Sequence, residues 1–387
     1  MRFYFLNPFW MMASGLALSM GLYRLGLSGL YHVPFEGIDI VLILIMAVCI
    51  VLGGIALSYL YGRLLQKPQG TFSNANLYFL LVSVWLGFAA ELIYEGGIPL
   101  VMSLSGGGYD YSQFGIPTFH VFFLSYCSAF AVVSFDRFMQ GEGWKNLLPV
   151  FSALIIELLI VNRGAMLITF GACILLYLFS CKHLGRSFLC AFIAVLGMIV
   201  AFGYVGDKRM KSSGYSEDGA IYKIGQADEV FKEPLLPSGF FWSYLYASSP
   251  YANLVKQAAV GNESKGTVSD FLSVAVVPDF ISKYYYNLND VRLELITPEL
   301  NVATGFGRTF VTYGYLGILF LFVWYCFFVT SFVVLNGRSL LRPVVATLCV
   351  MSLMMIFENM LIFASFIVQI LLLTCAGSVR VNEFRFI

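Results

Sequence analysis

Charged residues are scarce in this 387-residue chain. Asp, Glu, Lys and Arg together make up 12% of it, about half of their share in soluble domains. The charges nearly cancel, at a formal net charge of +1, so there is no basic surface of the kind that nucleic-acid binding requires. Hydrophobic residues make up 59%. These values exclude an ordinary soluble domain and indicate a membrane protein.

Several other features are missing. The eight cysteines lie in apolar runs or at their edges and form no CxxC pair, so the sequence predicts neither a disulfide framework nor a cysteine metal site. No internal repeat is evident, which weakens an interpretation as a secondary transporter, because many transporters are built from repeated halves. The three histidines are His32, His120 and His183.

Long apolar runs are abundant. About 20 apolar residues cross the hydrocarbon core of a bilayer, and the sequence predicts an all-α, polytopic transmembrane helix bundle of about ten spans. The single Arg before the first run is compatible with a signal peptide, but no small-residue cleavage site follows, so we interpret this run as a retained span. The predicted spans are 5–23, 39–61, 76–94, 118–135, 146–161, 164–181, 188–205, 313–335, 343–357 and 359–378.

The distribution of basic residues predicts the orientation of the spans. Loops on the cytoplasmic side of membrane proteins carry an excess of Lys and Arg. With the N-terminus inside, the short outer loops carry only Arg24 and Arg163. The inner segments carry eleven basic residues, namely Arg2, Arg63, Lys67, Arg137, Lys145, Lys182, Arg186, Arg338, Arg342, Arg380 and Arg385. Both termini are therefore predicted to be cytoplasmic.

Residues 206–312 are predicted to form one large outer loop between a seven-span part, 1–205, and a three-span part, 313–387. The loop contains two aromatic and apolar stretches, "SGFFWSYLYASSPYANLVKQAAVG" and "VSDFLSVAVVPDFISKYYYNLNDV". Both suit helices at the membrane surface, with Trp and Tyr at headgroup level. A small folded cap over the bundle and a re-entrant pair of helices are the alternatives.

Ionisable residues inside spans are functional candidates, because burying them costs several kcal/mol. Glu91, Glu157 and Glu358 lie in the predicted outer half of the bundle, His120 begins the fourth span, and Arg163 occupies the outer turn of "IIELLIVNRGAMLITFG". Each has a structural alternative: Glu157 as a partner of a neighbouring helix, Glu358 as a helix-start residue, and His120 as an interfacial histidine. Their convergence on one face nevertheless predicts a site there.

Arginines form the second group of candidates. Arg308 in "NVATGFGRTFVTYGYLGILF" lies where the large loop re-enters the membrane, and Arg292 precedes it. Arginine binds phosphate bidentately and stays charged in a dry site, although an arginine at this depth can also snorkel to the headgroups. The glycine-rich "SLSGGGYDYSQFGIPTFH" lacks the Lys-Ser/Thr ending of a P-loop and is predicted to be a flexible outer loop carrying Tyr109 and Asp110.

The chain resembles the oligosaccharide repeat-unit polymerases, also called O-antigen or Wzy-type polymerases. The resemblance lies in "LNPFWMMASGLALSMGLYRLGLSGLY", "GGIPLV", "GYDYSQFGIPTFH", "NRGAML" and "TGFGRTFVTYGYLGILF", which follow in this order over most of the chain. The chain departs from the loop motif of some members, an arginine followed by ten residues and a glycine. Neither Arg163 nor Arg308 has a glycine eleven positions on.

The resemblance implies a GT-C-like glycosyltransferase of lipopolysaccharide biosynthesis in the bacterial inner membrane. Such an enzyme transfers a glycan from undecaprenyl diphosphate onto the next lipid-linked repeat unit at the periplasmic face, without a cofactor or metal. Its implied partners are the donor and acceptor lipid-linked oligosaccharides, membrane lipid, a chain-length regulator and a flippase.

This reaction gives each candidate an expected role. Arg163 and Arg308, helped by Arg292, would stabilise the departing diphosphate. A general base would activate the sugar hydroxyl, and the candidates are Glu91, Glu157, His120 and Asp279. Aromatic and polar groups of the outer loops would contact the sugars or simply anchor the loop, with Tyr109, Asp110, Tyr244 and Tyr285 as the candidates.

Three alternatives remain open at the level of the sequence. An O-antigen ligase would carry a histidine in the large loop, and 206–312 contains none. A lipid-linked oligosaccharide flippase would need a cavity through the bundle, whereas the polar residues here crowd one face. A receptor or scaffold without chemistry is the third.

Overall fold

The computed structural model describes residues 6–31, 34, 36–64, 74–104, 114–180, 184–212, 215, 219–232, 237–260, 266–287, 291–336 and 340–383. Within these ranges the protein is helical, and its one β-type pairing is an isolated bridge between Ser28 and Ala227. The predicted all-helical class is therefore confirmed.

The described residues before the large loop form eight α-helices. A short 3-10 turn, Trp144–Leu147, leads into the sixth. The helices are α1 Pro8–Arg24, α2 Gly37–Leu64, α3 Asn74–Glu95, α4 Pro99–Leu104, α5 Phe119–Met139, α6 Leu148–Leu159, α7 Arg163–Ser180 and α8 Leu184–Ser212.

The remaining eight helices divide between the large loop and the C-terminal part. They are α9 Ala220–Ile224, α10 Glu229–Lys232, α11 Ser238–Val260, α12 Val268–Ala275, α13 Asp279–Ser282, α14 Gly307–Leu335, α15 Leu341–Met354 and α16 Ala364–Glu383. The boundaries predicted at 205 and 313 both fall inside helices, since α8 runs on to Ser212 and α14 already begins at Gly307.

Four helical stretches of the described chain are long and apolar enough to cross a membrane: Gly37–Leu60, Asn76–Met102, Phe119–Met139 and Gly307–Leu335. Further apolar helices are shorter. The fifth and ninth predicted spans correspond to α6, of 12 residues, and α15, of 14 residues, both below the ~20 residues that cross a bilayer. The helices thus indicate a helical membrane protein.

Helix ends that the charge pattern assigns to one side do meet in space. Arg63, near the end of α2, donates hydrogen bonds to the carbonyl oxygens of Asn336 at 2.9 Å and Val333 at 3.2 Å, at the end of α14. Arg342, at the start of α15, forms an ion pair with Asp136 of α5 at 3.1 Å and donates to Ser180, the last residue of α7. Four helix ends and one helix start therefore lie together.

Helices α9 to α13, from the predicted large loop, pack on the other helices of the bundle, and we call them the cap. Its longest helix, α11, is not a surface helix as predicted: Phe241, Leu245 and Tyr251 are fully buried in the main core. Glycine permits this burial. A Cβ atom on Gly203 of α8 would lie 2.2 Å from the Cα of Gly239, so the two backbones touch, as in membrane helix pairs with small residues at the crossing.

Helix α14 changes direction at Gly314. This residue has φ 61° and ψ −147°, a region that is essentially restricted to glycine. The bend separates the first turns of the helix, which carry Arg308, from the long apolar part that follows.

A nine-residue segment, 355–363, connects α15 to α16. The sequence predicts two spans with almost no loop here, with Glu358 starting the second; that placement is wrong. Glu358 and Asn359 lie in the middle of the connection. The amide of Asn359 donates to the carbonyl oxygens of Val274 and Ala275 at the end of α12, so contacts with the cap replace helical hydrogen bonds.

Candidate functional site

Glu91 and His120 form a dyad between the C-terminal part of α3 and the start of α5. Nδ1 of His120 lies 2.8 Å from Oε1 of Glu91. The Glu91 side chain is 0% exposed, whereas that of His120 is 20% exposed. Donation from Nδ1 to the carboxylate leaves Nε2 as the acceptor, and Nε2 has no hydrogen-bond partner among the described residues. The sequence named both residues but did not predict that they would be paired.

The loop before α5 holds this histidine in place. Oε1 of Glu95 accepts a hydrogen bond from the N–H of Gly115 at 2.9 Å, and the ring of Phe114 meets the His120 ring edge-on at 5.7 Å. Gly115 has φ 105°, and a Cβ atom there would lie 2.4 Å from Nδ1 of His120. The backbone thus lies directly against the imidazole and limits its rotation.

Arg308 is held by Glu358, a candidate that the sequence analysis named without assigning it a role in the reaction. Its Nε lies 3.6 Å from Oε1 of Glu358, and both side chains keep about a fifth of their surface exposed. Burial raises the pKa of the Glu358 carboxyl, and Arg308 opposes that rise. The side chain of Arg308 is therefore anchored to the connection 355–363, and about a fifth of its surface is exposed.

Asp279 attaches the cap to the connection 355–363. Its backbone N–H donates to the carbonyl oxygen of Ile362 at 2.8 Å, and Oδ1 accepts from the N–H of Ala364 at 3.1 Å. Ala364 is the first residue of α16, so Asp279 satisfies one of the free N–H groups of that helix. Burial raises the pKa of this carboxyl, while the N–H groups of Ala364 and Phe280 and the charge of Lys283 oppose the rise.

These groups share one end of the bundle. Phe122, two residues after His120, meets Phe280, the residue after Asp279, with ring centroids 6.4 Å apart. Glu358 lies on the same connection that Asp279 holds. The structure thus brings a histidine dyad, a helix-capping aspartate and an arginine ion pair to one end.

Backbone strain is concentrated beside three predicted residues. Among the described residues, four besides glycine have positive φ, and three of these are Thr118 (φ 70°), Val161 (φ 60°) and Thr304 (φ 32°). They lie two to four positions before His120, Arg163 and Arg308 respectively. Such conformations cost on the order of 1–3 kcal/mol each and are frequent at functional sites.

Glu157 is a buried carboxylate without access to the surface. Its side chain is 0% exposed, and Oε1 accepts a hydrogen bond from Thr169 of α7 at 2.7 Å. Thr169 in turn pairs with Ser128 of α5 at 2.8 Å. The carboxyl is enclosed by three helices, so this geometry fits the structural alternative and gives a sugar hydroxyl no access to it.

The residues predicted to contact the substrate differ in their exposure. Tyr244 is buried in the main core, and its hydroxyl accepts from the N–H of Leu27 at 3.0 Å, so neither face of its ring is available to a sugar. Tyr285 and Arg292 are exposed. Tyr109, Asp110 and the side chain of Arg163 lie outside the described part of the chain; the backbone of Arg163 begins α7.

Asn359 and the pairing of Glu358 with Arg308 are what the sequence analysis missed. The signal was present, since an adjacent carboxyl and amide interrupt an apolar run in "MMIFENMLIF". The structural alternative given for Glu358, the start of a helix, does not hold, because the residue lies in the connection between α15 and α16.

Comparison with known proteins gave no match: no family model, no curated protein and no solved structure is significantly similar to this chain. The class established by fold and composition is therefore a helical membrane protein, and its function rests on the site.

Proposed function

We propose that this protein is a lipid-linked repeat-unit polymerase of the bacterial inner membrane. It would transfer a growing glycan from undecaprenyl diphosphate onto the next undecaprenyl-diphosphate-linked repeat unit. The proposed topology has ten spans, a periplasmic cap and two cytoplasmic termini, with the GT-C-like architecture that the resemblance implies. The sequence resemblance and the composition of the outer-end site support this proposal together.

The single observation that carries the proposal is that a base and a cation lie at one end of the bundle. Transfer from a diphosphate needs a group that removes a proton from the attacking hydroxyl and a group that stabilises negative charge on the departing phosphate. The Glu91–His120 dyad fits the first need, and the partly exposed side chain of Arg308 fits the second.

In this mechanism Nε2 of His120 accepts the proton of the acceptor hydroxyl while the hydroxyl oxygen bonds to the anomeric carbon of the donor sugar and the bond from that carbon to the diphosphate oxygen breaks. Glu91 is a positioning residue, because its hydrogen-bond partner among the described residues is the imidazole of His120. Arg308 stabilises the diphosphate as its charge develops, and Arg163 and Arg292 are proposed to assist. All the electrons of the broken bond leave with the diphosphate, so the step requires no redox partner.

The test is the lipopolysaccharide of a strain that lacks the gene. A polymerase mutant attaches single repeat units, so the electrophoretic ladder should collapse to one band above the core. An unchanged ladder would reject the proposal. A strain whose lipid core carries no repeat unit would instead indicate a ligase or a flippase, because without either of these proteins no repeat unit reaches the lipid core.

A further inference from the structure

Large apolar side chains are exposed around the outer-end site. Six residues, 39–77% exposed, form a surface that we call the aromatic rim. They come from the start of α5, from α13 with the turn after it, and from the residue before α16. The rim consists of Phe119, Phe122, Ile281, Tyr284, Tyr285 and Phe363.

Hydrogen bonds and a ring contact join these three elements. Asp279 hydrogen bonds to Ile362 and Ala364, which flank Phe363 and bring it to the start of α13. Phe280 then meets Phe122 of α5. The rim therefore lies across the outer ends of α5 and α16, not along the side of one helix.

Charge distinguishes the rim from the apolar sides of α2 and α3. Nζ of Lys283 lies 5.4 Å from the ring centroid of Tyr284. In the other direction, the connection leads from Phe363 to Glu358, which holds Arg308. An apolar surface that adjoins cations is complementary to an amphiphile with an anionic headgroup and a long hydrocarbon chain.

We infer that the aromatic rim binds the isoprenoid chain of the lipid-linked substrate at the membrane surface, with the phosphate directed towards Arg308. The substrate would then enter sideways from the outer leaflet, past α5 and α16. This inference rests on the proposed function, because it assigns a place to the lipid portion of that substrate.

Photo-crosslinking of the full-length protein tests the inference. Benzoylphenylalanine would replace Phe122 or Phe363, in liposomes of phosphatidylethanolamine and phosphatidylglycerol that contain radiolabelled undecaprenyl phosphate. The matched control is Tyr315, an aromatic residue near the outer end of α14, beside the start of α2. Tyr315 is 48% exposed, close to the 45% of Phe122.

The expected result is a several-fold higher yield of labelled protein at Phe122 and Phe363 than at Tyr315. Unlabelled undecaprenyl phosphate should abolish the excess, whereas additional phosphatidylglycerol should not. Equal labelling at all three positions, or competition by phosphatidylglycerol, would show that ordinary membrane lipid covers the rim and would overturn the inference.

The two proposals fail in distinguishable ways. Specific cross-linking together with an unchanged ladder in the deletion strain rejects the polymerase and supports the rim as a polyprenyl-phosphate site. A collapsed ladder without specific cross-linking rejects the rim and leaves the polymerase proposal standing.

Discussion

Arg308 and Glu358 have a structural role and a proposed chemical role, and substitutions can separate the two. The ion pair couples the start of α14 to the connection 355–363. Removing one partner of a largely buried pair leaves the other charge uncompensated, which costs several kcal/mol at full burial. Solvent reduces that cost here, because both side chains are partly exposed.

Arg308→Ala should therefore lose the ladder and destabilise the protein by about 1–2 kcal/mol. Adding Glu358→Gln should restore most of the stability, since it removes the uncompensated charge, but not the activity. Thermal unfolding in detergent gives the first quantity and the ladder gives the second. Recovery of the ladder in the double variant would limit Arg308 to a structural role.

The dyad makes a prediction about two residues that touch one another. His120→Gln should abolish polymerisation. Glu91→Gln should lower turnover at saturating lipid-linked substrate without raising the apparent KM, because the hydrogen bond of Glu91 goes to the imidazole of His120. Glu91→Asp should restore part of the lost turnover. Turnover in liposomes measures this. A raised KM with normal turnover would assign Glu91 to substrate binding.

Asp279 predicts a pH dependence of stability. Its pKa is raised in the folded protein, so the folded state binds its proton more tightly than the unfolded chain does. The stability contributed by Asp279 is fully present below the ordinary aspartate pKa of about 3.9 and is lost as pH rises through the folded value. Asp279→Asn keeps a hydrogen-bond acceptor for the N–H of Ala364 and should remove this loss of stability with rising pH. Unfolding midpoints across the acidic range, compared between the two proteins, test it; parallel curves would contradict it.

At the scale of helices, sequence patterns located most elements but not their partners. Each span predicted from an apolar run lies on a helix of the structure, because the length and hydrophobicity of a run are local properties of the sequence. The burial of α11 in the core was not predictable from the sequence, because it depends on a contact between Gly203 and Gly239, which come from distant parts of the chain. The connection 355–363 was not predictable either, because its hydrogen bonds are made with the cap.

The crossing of α8 and α11 gives a matched pair of variants on one helix. A Cβ on Gly203 would lie 2.2 Å from the backbone of Gly239, whereas a Cβ on Gly197 would have nothing within 4 Å. Gly203→Ala should cost about 1–3 kcal/mol through overpacking, and Gly197→Ala should be neutral or stabilising. The difference in unfolding temperature tests the crossing; equal effects would argue against close contact.

At the scale of the whole molecule, the sequence predicted the helical class, and it named His120, Glu91 and Arg308, which the structure places at one end of the bundle. The structure does not fit the roles predicted for Glu157 and Tyr244, because both side chains are buried. Carboxylates and tyrosines occur both in functional sites and in protein interiors, and only tertiary contacts distinguish the two. Nothing in the sequence marks Thr169 and Leu27 as their hydrogen-bond partners.

Orientation in the membrane is tested by labelling. In intact spheroplasts, a cysteine at Ser216 should react with an impermeant thiol reagent, and one at Gln69 should not, because the proposed topology puts them on opposite faces. The unsubstituted protein, with its native cysteines, supplies the background. The reverse pattern would invert the topology and move the candidate site to the cytoplasm.

Arg63 and Arg342 contribute to the proposed orientation and also bind the ends of neighbouring helices. Information for insertion and information for folding are thus carried by the same guanidinium groups. Removing these charges to reverse the chain in the bilayer would also free the carbonyl groups at the end of α14 and the carboxylate of Asp136. Such a variant would emerge misassembled as well as inverted, so selection cannot adjust topology and packing independently at these two positions.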